Sequence, residues 1–151
     1  MIDVEIEDAA WIRALPDAEA LVRKAAEAVL EKMQASGRED GVTLLLADDA
    51  AVHELNARFR NQDKPTNVLS FPSPANPESH LGDVALAFGV CAREAAEQGK
   101  PLADHLQHLT AHGVLHLLGY DHISETEAHE MEGLEREVLA GLGVPDPYEA
   151  G

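Results

Sequence analysis

The segment His112-Gly113-Val114-Leu115-His116-Leu117-Leu118-Gly119-Tyr120-Asp121-His122 sets two histidines four positions apart, then a glycine, then a third histidine. One helical turn takes about 3.6 residues, so His112 and His116 share a helix face. Glycine adopts left-handed backbone without penalty, so Gly119 ends the helix and the turn swings His122 back over it. Three imidazoles delivered to one ion, with a fourth position left for water, form the donor set of a catalytic metal site. His105 and His108 continue the same face toward the N-terminus, at spacings of 3 and 4. They lie one or two turns away and read as packed or solvated residues. His53, His80 and His129 have no supporting spacing.

Imidazole ligands and an open position favour one zinc ion per chain, although iron, nickel and copper also accept three nitrogens. Neutral ligands leave the full charge on the ion, which lowers the pKa of a bound water toward about 7. The same frame, His-x-x-x-His-x-x-Gly-x-x-His, occurs in metzincin proteases. Those proteases carry a glutamate general base directly after the first histidine, and Gly113 stands in its place. Peptide hydrolysis by that route is therefore disfavoured. A phosphodiester has other needs: its transition state spreads negative charge over oxygens, where a metal and a cation help most. Asp121, next to the third histidine, either orients an imidazole or caps the turn.

Upstream of this segment the periodicity changes. Ile2, Val4 and Ile6 alternate with Asp3, Glu5 and Glu7, the pattern of a half-buried strand. Pro16-Asp17 opens a helix that carries Ala20, Leu21, Ala25, Ala28, Val29 and Met33 and closes at Ser36-Gly37. Val42 to Ala47 predicts a more deeply buried strand, and Asp48-Asp49 caps a short helix through about Phe59. Val68 to Phe71 is a strand stopped by Pro72, Ser73 to His80 a surface loop, and Leu81 to Ala87 a fourth strand. Helices follow over about Val90–Gln98, ending at Gly99, over Leu102–Leu118 and over Glu125–Leu142, the last with Ser124 and Glu127 as a capping box. Strands interleave with helices early and helices dominate late. This predicts a single α+β domain over residues 1–151, a small mixed four-stranded sheet packed by about five helices.

A length of 151 residues gives one domain room for a core, and no apolar run approaches the roughly 20 residues that span a bilayer. The chain starts directly in a strand pattern, so no signal peptide is expected. The lone Cys91 excludes an intrachain disulfide. Both point to a cytoplasmic protein. The net charge of −17 argues by itself against nucleic-acid binding. Yet Arg58, Arg60 and Lys64 fall within seven positions, either a local basic patch or three solvated charges.

The histidine string is similar to the signature of the YbeY family of bacterial ribosomal RNA maturation factors. Leu55-Asn56 with Phe59-Arg60, and Lys64-Pro65-Thr66-Asn67-Val68-Leu69-Ser70-Phe71-Pro72, resemble the central motif of that family. Leu81-Gly82-Asp83-Val84 resembles its edge-strand motif and Asp146-Pro147-Tyr148 its C-terminal ending, so matching segments run from about residue 42 to 148. Asn67 departs from the aspartate usual there; it preserves a turn or cap hydrogen bond but not a negative charge. The resemblance implies a fold similar to the zinc metalloprotease core. It also implies a metal-dependent, single-strand-specific endoribonuclease acting in 16S ribosomal RNA 3′-end maturation and ribosome quality control. The small ribosomal subunit, its proteins or an assembly GTPase are the implied partners. The family's ligands map onto His112, His116 and His122, and its functional arginine onto Arg60, which would hold a phosphate by two parallel hydrogen bonds. Arg58 and Lys64 are either further RNA contacts or solvated surface.

Three readings follow. In the first, the metal with His116 and Arg60 cleaves RNA, the general base being the activated water, Asp121 or a substrate hydroxyl. In the second, the chain is a ribosome-assembly binding protein with a mainly structural zinc, which its acidic surface favours. In the third it is a zinc-dependent protease or other hydrolase, which the histidine frame supports and Gly113 opposes.

Overall fold

Alternation at the N-terminus produces an edge strand, β1 (Ile2–Ile6), with Ile2 buried and both Asp3 and Glu5 exposed. The computed structural model describes residues 2–33, 41–74, 80–120 and 124–148. The predicted helix stop at Ser36-Gly37 lies outside these residues, as does most of the Ser73–His80 loop. β2 (Gly41–Ala47) and β4 (His80–Ala87) are the inner strands, and β3 (Val68–Pro72) forms the second edge, giving the order β1-β2-β4-β3. β1 and β4 flank β2 in parallel, while β3 runs antiparallel to β4, so the sheet is mixed as predicted. Leu81 to Val84, compared above with an edge-strand motif, is instead interior. Strand order depends on long-range pairing, which a single segment does not encode. Pro72 closes β3 from within the strand rather than after it; on an edge its missing N–H costs no ladder bond.

Registers Leu44↔Val84 and Leu46↔Leu86 align the apolar residues of one sheet face. That face is covered by α2 (Ala18–Lys32) and α5 (Leu102–Leu117), with α6 (Glu125–Gly141) packed outside both. Leu44, Leu46, Leu86, Leu106 and Leu115 are fully buried there, each contributing roughly 1.5–3 kcal/mol of transfer free energy. The opposite face carries Ala47, Leu69, Ala85 and Ala87 under α3 (Asp49–Arg60), whose N-cap Asp48 accepts a hydrogen bond from the Ala51 amide at 2.7 Å. α4 (Phe88–Gln98) connects the sheet to α5.

Six helices are present among the described residues, one more than the five expected. The addition is α1 (Ala10–Ala14), a single turn too short to show periodicity. It inserts Trp11, fully buried, whose indole N–H donates to the Ala47 carbonyl at 3.0 Å and whose ring meets Phe88 edge-on.

The end of α5 is set by Gly119. Its φ of 102° allows the Tyr120 amide to donate to Leu115 O at 3.1 Å and the Gly119 amide to His116 O at 3.0 Å, the paired bonds of a Schellman motif. Ser124 caps α6 by accepting from the Glu127 amide at 3.1 Å. Asp121 and His122 lie outside the described residues.

Candidate metal centre

The approach of α5 to the sheet is close enough to require a glycine. A Cβ at position 113 would stand 2.6 Å from Val84 Cγ1 and 3.2 Å from Ser70 Oγ. Ser70 instead donates its hydroxyl to the Gly113 carbonyl at 2.9 Å. Position 113 therefore faces packed sheet, which is the physical reason no glutamate base can occupy it.

This packing brings His112 and His116 to the margin of β3. Their Nε2 atoms are 3.0 Å apart and their rings meet edge to face. Two imidazole nitrogens sharing one tetrahedral shell, with bonds of about 2.0–2.1 Å, stand about 3.3 Å apart. The pair therefore fits a common ion. Among the described residues no third His, Cys, Asp or Glu joins them, and the predicted third ligand His122 and its neighbour Asp121 fall outside that set.

His112 Nδ1 donates to Glu135 Oε2 at 3.1 Å, the carboxylate–histidine arrangement that turns Nε2 toward a metal. Glu135, on α6, is fully buried. Its Oε1 accepts from His108 Nε2 at 2.6 Å and from the Tyr148 hydroxyl at 2.7 Å. Burial by itself would raise the carboxyl pKa, but the bonds from His108, His112 and Tyr148 outweigh it and hold it at about 2.

The two N-terminal histidines each pair with a glutamate, His108 with Glu135 and His105 with Glu94. His105 is buried and hydrogen-bonds Glu94 Oε1 at 2.9 Å. The same oxygen accepts from Asn67 Nδ2 at 2.9 Å, while Asn67 Oδ1 takes the Val68 amide at 2.7 Å. Asn67 thus keeps the local cap and adds a donor that an ionised aspartate lacks. On the surface, His53 pairs with Asp63 and His80 with Asp83.

Burial lowers the His105 pKa below 6.5, Glu94 only partly offsetting it. The unfolded chain then binds a proton that the folded chain resists, so stability is full above about 6.5 and falls as pH drops through the His105 value. Glu135 has the same sign: its contribution is present above 4.5 and lost toward about 2. Urea midpoints of metal-free protein are expected to fall between about pH 7.5 and about pH 5, and further toward about pH 3. A midpoint that is flat or rises on acidification would contradict this.

Arg60 ends α3 and donates from Nη2 to the Ser70 carbonyl, with its guanidinium 5.8 Å from the Phe71 ring centroid. A cleft of about 200 Å³ is lined by Arg60, Val68, Leu69, Ser70, His112 and His116. Arg60, Ser70 and His116 also border a wider groove of about 590 Å³ walled by Phe59, Phe71, Pro72 and Tyr120. Phe59 is 62% exposed and packs edge-on against Phe71. Arg58 and Lys64 are exposed and line neither cleft; Arg58 sits 3.7 Å from Glu54.

Glu135, Tyr148 and Ser70 were not anticipated as site residues. Glu135 left a signal, since Met131, Glu135, Val138 and Leu139 form one buried helical stripe and a carboxylate in such a stripe needs partners. Ser70 and Tyr148 stood inside the segments compared with the family, but no local pattern marked their roles, because these depend on Gly113 and Glu135, 43 and 13 positions away.

The family profile described as Endoribonuclease YbeY matches residues 4–143. A relative named Endoribonuclease YbeY from Cereibacter sphaeroides is 47% identical over 166 aligned residues, covering 98% of each chain. One of the same name from Paramagnetospirillum magneticum is 50% identical over 155, covering 97% of this chain and 94% of that one. The solution structure of TM1509 from Thermotoga maritima superposes with a TM-score of 0.59 at 26% identity, covering 99% of this chain and all of the other. Profile, whole-length relatives and fold agree with one another, and the chain belongs to the Endoribonuclease YbeY family.

Proposed function

We propose that this chain is a metal-dependent endoribonuclease that cuts single-stranded RNA, with one zinc ion held by His112, His116 and His122. The observation that carries this reading is the cleft in which Arg60 stands beside His112 and His116. When bound, the ion supplies Lewis-acid polarisation of the scissile phosphate. Arg60 is anchored through one donor on Ser70 O and braced by Phe71, and its other donors serve a phosphate oxygen. Phe59, Phe71 and Tyr120 give unstacked bases aromatic faces, a fit to single strands rather than duplex. Asp121 orients the neighbouring ligand, and Arg58 and Lys64 supply peripheral contacts to the RNA backbone.

The proposal extends to a single catalytic domain over residues 1–151 that works in the cytoplasm on 16S ribosomal RNA 3′-end maturation and ribosome quality control, a reading that membership of an endoribonuclease family supports. Its partners are the small ribosomal subunit with its proteins or an assembly GTPase. A net charge of −17 suits docking beside basic ribosomal proteins. Among the described residues no helix is long and apolar enough to cross a membrane.

Arg60→Ala is expected to slow single-turnover cleavage of a single-stranded RNA by about 10²-fold or more, with Arg60→Lys restoring part of it, because a lysine keeps the charge and loses the fork. Unchanged cleavage by Arg60→Ala would remove Arg60 from the site.

A further inference from the structure

We infer that Glu135 is the positioning residue of the metal centre and that Tyr148, on the C-terminal segment, holds Glu135 in place for that task. The inference rests on the metal reading above. Glu135 divides its two oxygens between different jobs. Oε1 is pinned by His108 Nε2 at 2.6 Å and by the Tyr148 hydroxyl at 2.7 Å. Oε2 faces His112 Nδ1 at 3.1 Å. A carboxylate is an acceptor only, so it requires the proton of His112 to sit on Nδ1. The lone pair then belongs to Nε2, the atom 3.0 Å from His116 Nε2. The carboxylate thus selects the tautomer that binds a metal and raises the basicity of the ligand.

Tyr148 is held by contacts of its own. Lys100 Nζ donates to the Pro147 carbonyl at 3.0 Å, and Arg136 pairs with Asp146 at 3.0 Å. Asp146 also accepts the Tyr148 amide at 2.8 Å, and the Arg136 guanidinium lies 5.3 Å from the Tyr148 ring centroid. A line of hydrogen bonds therefore runs from the C-terminal segment through Tyr148 and Glu135 to His112.

Two readouts other than cleavage test this. In metal-free wild-type protein, nitrogen NMR of His112 is expected to show Nδ1 protonated and Nε2 bare; the opposite tautomer overturns the proposal. In chelator competition, Glu135→Gln is expected to weaken zinc affinity by about 10–100-fold and Tyr148→Phe by about threefold or more, circular dichroism confirming the fold. A folded Glu135→Gln protein within about twofold of wild type overturns the proposal. If Glu135→Gln does not fold, Tyr148→Phe decides by the same margin. Wild-type protein that takes up no zinc, yet shows the expected tautomer, contradicts the metal reading while supporting the hold of Glu135 on His112.

Discussion

Gly113→Glu is expected to unfold this protein rather than to make it a peptidase. The substitution writes the glutamate of a zinc protease into the histidine frame, at a position the fold has already filled. The first atom added, Cβ, would stand 2.6 Å from Val84 Cγ1, about 1 Å inside a normal contact of roughly 3.5–4.0 Å. Val84 cannot step aside: it is fully buried, β-branched and fixed on β4 between two neighbouring strands. Overpacking of this kind costs about 1–3 kcal/mol, against about 1 kcal/mol gained by replacing a helical glycine. Gly113→Ala should therefore lose up to about 2 kcal/mol. The glutamate adds a buried, unpaired carboxylate worth several kcal/mol, a large part of a total stability of about 5–15 kcal/mol. Urea denaturation of both variants checks this. A folded Gly113→Glu protein with wild-type stability would show that α5 does not pack against β4 as described.

His116→Ala should have the larger effect on chemistry. Among the described residues, His116 is the one common to the narrow cleft, the wider aromatic groove and the His112 pair. Its removal leaves His112 held by Glu135 but without its partner nitrogen. Metal content is expected to fall well below one ion per chain, and cleavage to drop by about 10³-fold or more, the scale of the several kcal/mol a Lewis-acid ion contributes. The fold should survive, because the His116 side chain is only partly buried and lines a cleft. Wild-type stability with lost metal and lost cleavage is the expected combination.

The parts of the fold that were legible are those with local causes. β1 follows from alternation at Ile2, Val4 and Ile6, the start of α3 from the Asp48 cap and the end of α5 from Gly119. α1 was not legible, because its one turn is held by the distant bond from Trp11 to Ala47 O rather than by any repeat. Nor was the interior place of β4, which depends on pairing with both β2 and β3. The same division holds at the site. The helical spacing of His112 and His116 predicted their convergence, whereas the nearness of Arg60 depends on β3 carrying Ser70 beneath α5. The absence of a base at Gly113 was visible in the sequence; its cause, Val84, was not. Glu135 was visible as a carboxylate in an apolar stripe, but three of its partners lie 13 to 27 positions away.

The most direct measurement is single-turnover cleavage of a labelled single-stranded RNA by wild-type protein of known metal content, beside His116→Ala from the same purification. Cleavage that rises with bound metal in the wild type and stays at background in His116→Ala is the predicted result. Equal cleavage by the two proteins, or cleavage indifferent to metal content, would contradict the assignment of RNA cleavage to the cleft of His112, His116 and Arg60.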